Sequence, residues 1–272
     1  MALEKQDLTY LTWSKIRHSS GTAGSFLKAY EEIGNQKTYY KLSDYDSIRG
    51  IIGHESINEI IVDRLLTILG VEHLPYQLIY ADVLIDSKIY STYLCASENF
   101  RKRGESKVAL DTFYEKNKVD GETKLEFCIR YGWEDYIYQM LIVDFIILNR
   151  DRHGANIEVL QDSKAKAIRL APIFDNGLSL VCSAKTDDLL EKFDVMGDKP
   201  VQCYVGSRSA YENLKLIPVE KLPKINQLKE SARQIILDGL DDVLPANYQN
   251  KIWNMIWKRW CYYEDFCNSR RI

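Results

Sequence analysis

Residues 144–160 read DFIILNRDRHGANIEVL. An apolar run ends at Leu148, five polar residues follow as Asn149-Arg150-Asp151-Arg152-His153, the chain turns on Gly154, and beyond Asn156 it is apolar again. A solvated turn between two buried segments needs about two polar residues at its centre. This loop carries far more, and they are of the kinds that move protons, pair with anions and bind metal ions.

The flanks of the loop are legible. Upstream, WEDYIYQMLIVDFIILN spaces Ile137, Met140, Leu141, Phe145 and Leu148 as a buried helix. Downstream, IEVL, the turn QDSKAKA and IRLAPIF predict a short hairpin that delivers Asp175-Asn176-Gly177. A carboxylate shown where a buried strand ends, followed by an Asn-Gly turn, suits a metal ligand.

Toward the N-terminus the pattern is strand-rich. Tyr10–Arg17 predicts a strand, HSSGTAGS a polar loop, FLKAYEE a second strand, Ile33-Gly34-Asn35-Gln36 a turn, and KTYYKL a third strand. HESINEIIVDRLLTILG predicts a helix with Ile57, Ile60, Ile61, Leu65, Ile68 and Leu69 on one stripe and Gly70 as its stop. Glu55 and Glu59 fall on a neighbouring, more polar face. YQLIYADVLI and KIYSTYLC, separated by Asp86-Ser87, predict a strand hairpin.

The charged stretch SENFRKRGESK at 97–107 reads as a hinge, with a strand-rich N-lobe over 1–97 and a mainly helical C-lobe over 98–272. In the last third, QLKESARQIILDGLDDVL and KIWNMIWKRWCYYEDF predict helices. Trp253, Ile256, Trp257 and Trp260 at helical spacing read as core.

Composition bounds the function. The chain has 272 residues, 46% hydrophobic and 28% charged, which places it with globular proteins of one large domain or two lobes. With 36 basic and 39 acidic residues the net charge of −3 supplies no global attraction to nucleic acid, and no direct nucleic-acid binding is expected. The six cysteines show no CxxC pair, and the four histidines no HxxxH spacing, so neither a zinc site nor a zinc hydrolase is indicated. No signal-peptide pattern and no spanning apolar run is present, so a cytoplasmic location without a membrane span is expected.

Phosphoryl transfer to a hydroxyl needs a cover over the phosphates, a cation to engage them, oxygen ligands for a divalent metal, and a carboxylate to orient the hydroxyl. Candidates for these parts occur in order. Ser19, Ser20, Gly21, Thr22, Gly24 and Ser25 form a small-residue loop between strands; Lys41 lies on the third strand and Glu59 on the helix after it; Asp151 and Asn156 lie in the charged loop, and Asp175 ends the hairpin. Singly, each has a plain structural reading. The glycines suit a turn, Lys41 competes with Lys28 and Lys37, and Glu59 competes with Glu55. Asp151 would pair with a neighbouring arginine, Asn156 would form a turn, and His153 reads as a brace for the loop. The order of the set points to an α+β, bilobal, protein-kinase-like fold.

DRHGAN (151–156) followed by APIFDNG (171–177) resembles the catalytic and metal-binding segments of HipA-like serine/threonine kinases. These share their D-R-H-x-x-N loop with phosphoinositide-type lipid kinases, and HESINEIIVDRLLTILGV resembles the family's Asn-Glu helix at Asn58-Glu59. The resemblance implies that Asp151 is the catalytic base, that Asn156 and Asp175 hold magnesium, that Lys41 holds the phosphates of ATP with Glu59 orienting it, and that Ser20, Gly21, Thr22 and Gly24 belong to the nucleotide-covering loop. It implies a protein substrate with a serine or threonine hydroxyl and self-phosphorylation on Ser19, Ser20 or Ser25. The chain starts close to the kinase core, as a short form lacking the family's N-terminal subdomain would. Two other expectations are a nucleotide-binding regulatory module without catalysis and a phosphoinositide or small-molecule kinase.

Overall fold

The computed structural model describes residues 3–16, 23–34 and 36–270. Its N-lobe is built on one sheet. Strands β1 (Gln6–Asp7), β2 (Ser14–Ile16), β3 (Ala23–Ile33) and β4 (Gln36–Lys41) come first, and β5 (Tyr45–Asp46) with β6 (Gly50–Ile51) makes a separate small hairpin. Helix α1 (Glu55–Leu69) follows, and then the long hairpin of β7 (Gln77–Ile85) and β8 (Lys88–Glu98). The six-stranded order is β1-β7-β8-β4-β3-β2, antiparallel except where β1 joins β7. In this order β4 is interior, and Lys41 lies opposite Lys28 on one side and Cys95 on the other.

Local chemistry explains these elements. Asp86 and Ser87 both take positive φ, 49° and 64°, as the two central residues of a tight I′-type hairpin turn must. Helix α1 ends as expected at Gly70, whose φ of 69° lets its N–H reach Thr67 O while the Val71 N–H reaches Leu66 O. Leu27, Ala29, Tyr40, Leu42, Val83 and Leu94 form a compact core against the sheet. The apolar face of α1, with Ile57, Ile61 and Leu65, enters the larger core of the C-lobe instead. This helix therefore ties the two lobes together.

The C-lobe begins with a strand, β9 (Glu105–Ala109), and continues with α2 (Leu110–Asn117), α3 (Lys124–Arg130) and α4 (Glu134–Ile147). After β10 (Asp151–Arg152) come β11 (Glu158–Asp162), β12 (Ala167–Leu170), α5 (Asp187–Glu191), β13 (Gln202–Cys203), α6 (Ala210–Leu214), α7 (Ala232–Ile236) and α8 (Ala246–Ser269). Helix α4 packs against α6 and α8. Trp253, Ile256 and Trp260 of α8 are buried, as their spacing predicts, while Trp257 at the edge of that stripe is only half-buried against the same core.

Three expectations are corrected. The hinge stretch contains β9, which pairs with β11 opposite β12 in a three-stranded sheet. Its charges are used across the sheet, where Arg169 reaches Glu105 at 2.8 Å and Lys107 reaches Glu158 at 2.8 Å. The long helix expected over 227–244 shrinks to α7, because Gly239 takes a φ of 65° and Leu240 and Leu244 are buried through turns rather than on a helical stripe. The strand expected over Tyr10–Arg17 is described only as Ser14–Ile16; Leu8 and Leu11 are buried around a turn whose Leu11 N–H bonds to Leu8 O.

At Gly70 an added Cβ would approach Asn226 Nδ2 to 2.8 Å on top of the left-handed backbone. Gly70→Ala should cost about 1–2 kcal/mol, read as a lowered midpoint in urea unfolding, whereas Gly121→Ala, with nothing near its added Cβ, should cost only the backbone part.

Candidate active site

The site is assembled from four segments. Lys41 at the end of β4 is 7% exposed, and its Nζ lies 2.6 Å from Glu59 Oε1 and 2.6 Å from Asp175 Oδ1. Burial alone would lower the lysine pKa, but the carboxylates of Asp175 and Glu59 outweigh it, so the net shift is upward and Lys41 stays protonated. Of the competitors, Lys37 Nζ lies over the Tyr30 ring, while Lys28, opposite Lys41 on the sheet, approaches the same Asp175 at a longer 4.0 Å from Oδ2.

Helix α1 supplies the second layer. Glu59 is fully buried, and its Oε2 accepts the Asn176 N–H at 2.8 Å. Asn58 donates from Nδ2 to Gly177 O at 2.9 Å and Ser179 O at 3.1 Å. Glu55, the rival to Glu59, is also buried but accepts from the Asp44 N–H. Two adjacent α1 residues thus clamp the turn that carries Asp175. Asp175 itself adopts the left-handed conformation, φ 59°, a backbone state in which Asp is one of the less disfavoured residues. Gly177 passes so close that a Cβ would sit 3.0 Å from both Glu55 O and Lys41 Nζ.

The charged loop is braced from below. Arg152 is 1% exposed, and all three of its guanidinium nitrogens donate to neighbours. Nε and Nη2 both donate to Asp144 at 3.0 Å, Nη1 donates to Phe174 O at 2.6 Å, and Nη2 also donates to Asn176 Oδ1 at 2.6 Å. Burial pushes the Asp144 carboxyl above the usual carboxylate range, opposed by Arg152 and Asn149, and Asp144 in turn holds Arg152 protonated. Asn149 links the pair to the loop, donating to Asp144 Oδ1 at 3.1 Å and accepting the Asp151 N–H at 3.0 Å.

Above this brace stands Asp151. Asn156 donates from Nδ2 to Asp151 O at 2.7 Å and Oδ2 at 3.3 Å. His153 Nδ1 accepts the Ala155 N–H at 3.1 Å, and its Nε2 lies 3.6 Å from Asp151 Oδ1, so it braces the loop as expected. Gly154 packs so tightly on α2 that a Cβ would overlap the Asp111 carboxylate at 2.3 Å. Asp151 also opens onto a cavity of about 890 Å³ lined by Arg150, Lys185, Gln202 and Arg208 among others.

Among the candidates, Lys41, Glu59 and Asp175 are in direct contact, and Asp151 contacts Asn156. Ser20, Gly21 and Thr22, with Ser19, lie outside the described residues; Gly24 and Ser25, expected in the loop, belong instead to β3, which begins at Ala23. Asp144 and Asn176 were not singled out from the sequence. Asp144 sits inside an apolar helical run, and a lone acid there next to an Asn-Arg-Asp-Arg loop is the signal that marks a buried partner.

No protein-family profile matches the chain, and no curated protein sequence matches it. Solved structures do. The crystal structure of the Helicobacter pylori proinflammatory kinase CtkA superposes with a TM-score of 0.69 at 16% identity, covering 98% of this chain and 97% of that one. A chain of the Shewanella oneidensis MR-1 toxin–antitoxin complex of HipA, HipB and operator DNA superposes with a TM-score of 0.52 at 16% identity, covering 95% and 68%. The protein has a HipA-like kinase fold. In that fold Lys41, Glu59, Asp175 and the 149–156 loop occupy the junction between the lobes.

Arg152→Leu should destabilise the protein by about 3–5 kcal/mol, because it strands a buried carboxylate. With Asp144 then held protonated in the fold, the folded state binds more protons than the unfolded one above about pH 4, so the loss should grow as pH rises. Urea unfolding of the variant at pH 5 and pH 7 checks both the size and the sign.

Proposed function

We propose that the chain is an ATP- and magnesium-dependent kinase that phosphorylates a serine or threonine hydroxyl of a protein, with its own loop serines Ser19, Ser20 or Ser25 as one acceptor. One observation carries the reading. A buried, protonated lysine is held between a helix glutamate and the aspartate of a C-lobe turn, which is the arrangement needed to grip nucleotide phosphates beside a metal ligand.

The donor set fits magnesium. Asn156 and Asp175 offer oxygen ligands, and no group of three or more His, Cys, Asp or Glu suited to a metal occurs among the described residues. Magnesium is commonly held by one or two protein oxygens with phosphate and water completing its shell, so two ligands suffice. Asn156 commits its amide nitrogen to Asp151, so Oδ1 is the atom it would present to a cation. When bound, the metal supplies neutralisation of the phosphate charge.

The remaining work falls to the chain's own residues. Lys41, oriented by Glu59, engages phosphate oxygens. Asp151, held by Asn149 and Asn156, accepts a hydrogen bond from the substrate hydroxyl and takes its proton as that oxygen bonds to the γ-phosphorus and the bond to the β–γ bridging oxygen breaks. The cavity on which Asp151 opens gives an acceptor segment room to approach. Among the described residues no helix is long and apolar enough to cross a membrane, and all six cysteines are free thiols, in line with a reducing cytoplasm.

Intact mass after incubation of the phosphatase-treated chain with Mg-ATP tests the reading. The wild type should gain phosphate, and Asp151→Asn should slow that gain by about 10²–10⁴-fold; equal rates would remove Asp151 from its role. Asp175→Ala should weaken Mg-ATP binding by about tenfold or more in titration calorimetry, and unchanged affinity would argue against its place at the metal.

A further inference from the structure

The cavity beside Asp151 borders the Lys41 cluster without including it: Phe26, whose ring centroid lies 5.3 Å from Lys41 Nζ, and Glu55 line it, whereas Lys41, Glu59, Asn156 and Asp175 do not. Four cationic side chains do, with four carboxylates, Asp44, Glu55, Asp111 and Asp151, and two of the cations are already paired. Lys124 pairs with Asp111 at 3.2 Å, and Lys185 pairs with Asp44 at 2.6 Å. The other two are Arg150 and Arg208, and neither guanidinium has an ion pair or hydrogen bond among the described residues.

The backbone sets these two arginines on one short stretch. The Gln202 N–H bonds to Arg150 O at 3.0 Å, and the Val201 N–H bonds to Arg208 O at 2.9 Å, so both flank Val201-Gln202. That stretch is anchored. The buried Arg259 donates from Nε to Val195 O at 2.7 Å and from Nη2 to Gly197 O at 2.9 Å. Asp198 accepts from the Ala210 N–H at 3.1 Å just beyond Arg208. Arg208 is exposed and Arg150 half-buried, so a ligand can reach both from the cavity. Guanidiniums lining one cavity are suited to an anion, which they hold through charge-assisted, often bidentate hydrogen bonds.

We propose that Arg150 and Arg208 bind an acidic side chain of the protein substrate, a carboxylate or a phosphomonoester, close in sequence to the hydroxyl presented to Asp151. The assignment rests on the kinase reading and names its substrate class. Arg150 directly precedes Asp151, with consecutive Cα atoms about 3.8 Å apart. An extended peptide advances about 3.3–3.6 Å per residue, so the acidic residue lies near the acceptor in sequence, at a flanking position that the test identifies.

The test uses fluorescein-labelled serine-centred peptides that carry Asp, Glu or phosphoserine at each flanking position, each matched with Asn, Gln or Ser. Anisotropy on the full chain without nucleotide measures affinity, and a second arm with Mg-ATP measures phosphate incorporation. At least one flanking position should bind the acidic peptide about tenfold tighter than its neutral match, and the preference should shrink as salt is raised. Arg150→Gln and Arg208→Gln should each remove most of that preference, and Arg208→Glu should shift it toward a lysine peptide; circular dichroism and melting temperature report that the fold is kept. The carboxylate and phosphoserine arms show which anion is preferred. Equal affinity for acidic and neutral peptides, or a preference that survives in the Arg150→Gln/Arg208→Gln double variant, overturns the proposal and leaves two solvated arginines. Arginine-dependent binding with no phosphate transferred by the wild type overturns the kinase reading and leaves the anion site standing.

Discussion

The ammonium of Lys41 is the constraint around which the molecule is arranged. A lysine buried to 7% exposure is expensive unless opposite charge meets it, and here two carboxylates do, one from α1 and one from the turn after β12. Meeting that requirement brings the central strand of the N-lobe sheet, the linking helix and a C-lobe turn to one point. Glu59 then uses its second oxygen on the Asn176 N–H, and Asn58 holds Gly177 and Ser179, so the clamp extends along the turn rather than ending at the ion pair. The apolar face of α1 makes the clamp stiff, because it belongs to the larger core.

The polar density of 149–156 has its physical account in a second buried charge. Arg152 enters the interior to meet Asp144 and reaches Phe174 O and Asn176 Oδ1 from there, so the charged loop and the Asp175 turn share one guanidinium. Asn149 and Asn156 fix Asp151 from its two sides, and His153 caps the short turn that follows. Arg150 is the member of the loop that this scaffold does not use, and it faces the cavity. A carboxylate held by neighbours at the end of a rigid helix is fixed in place before any ligand arrives.

Legibility followed the range of the interaction that fixes each element. Helices α1, α4 and α8 and the β7–β8 hairpin matched their patterns because periodicity, Gly70 and Asp86-Ser87 are local signals. Strand β9 was hidden because ESKVA has no apolar alternation; it is a strand only when β11 and the pairs to Arg169 and Glu158 are present. The stretch before α8 misled for the opposite reason, since its leucines are buried without a helix to order them.

By itself the sequence determined the order of the parts: a lysine strand, an Asn-Glu helix, a charged loop with Asp151 after a buried helix, and the Asp175 turn after a hairpin. That order survives because it is a property of the chain and needs no contact to be read. Choosing Lys41 over Lys28 and Lys37, Glu59 over Glu55, and the interior for Arg152 but the cavity for Arg150 required the tertiary structure. Each pair of rivals has the same charge and nearly the same local pattern. The partner each meets separates them: Lys41 lies 2.6 Å from an aspartate more than a hundred residues away where Lys28 comes only to 4.0 Å, and Glu55, though buried, accepts a backbone N–H instead.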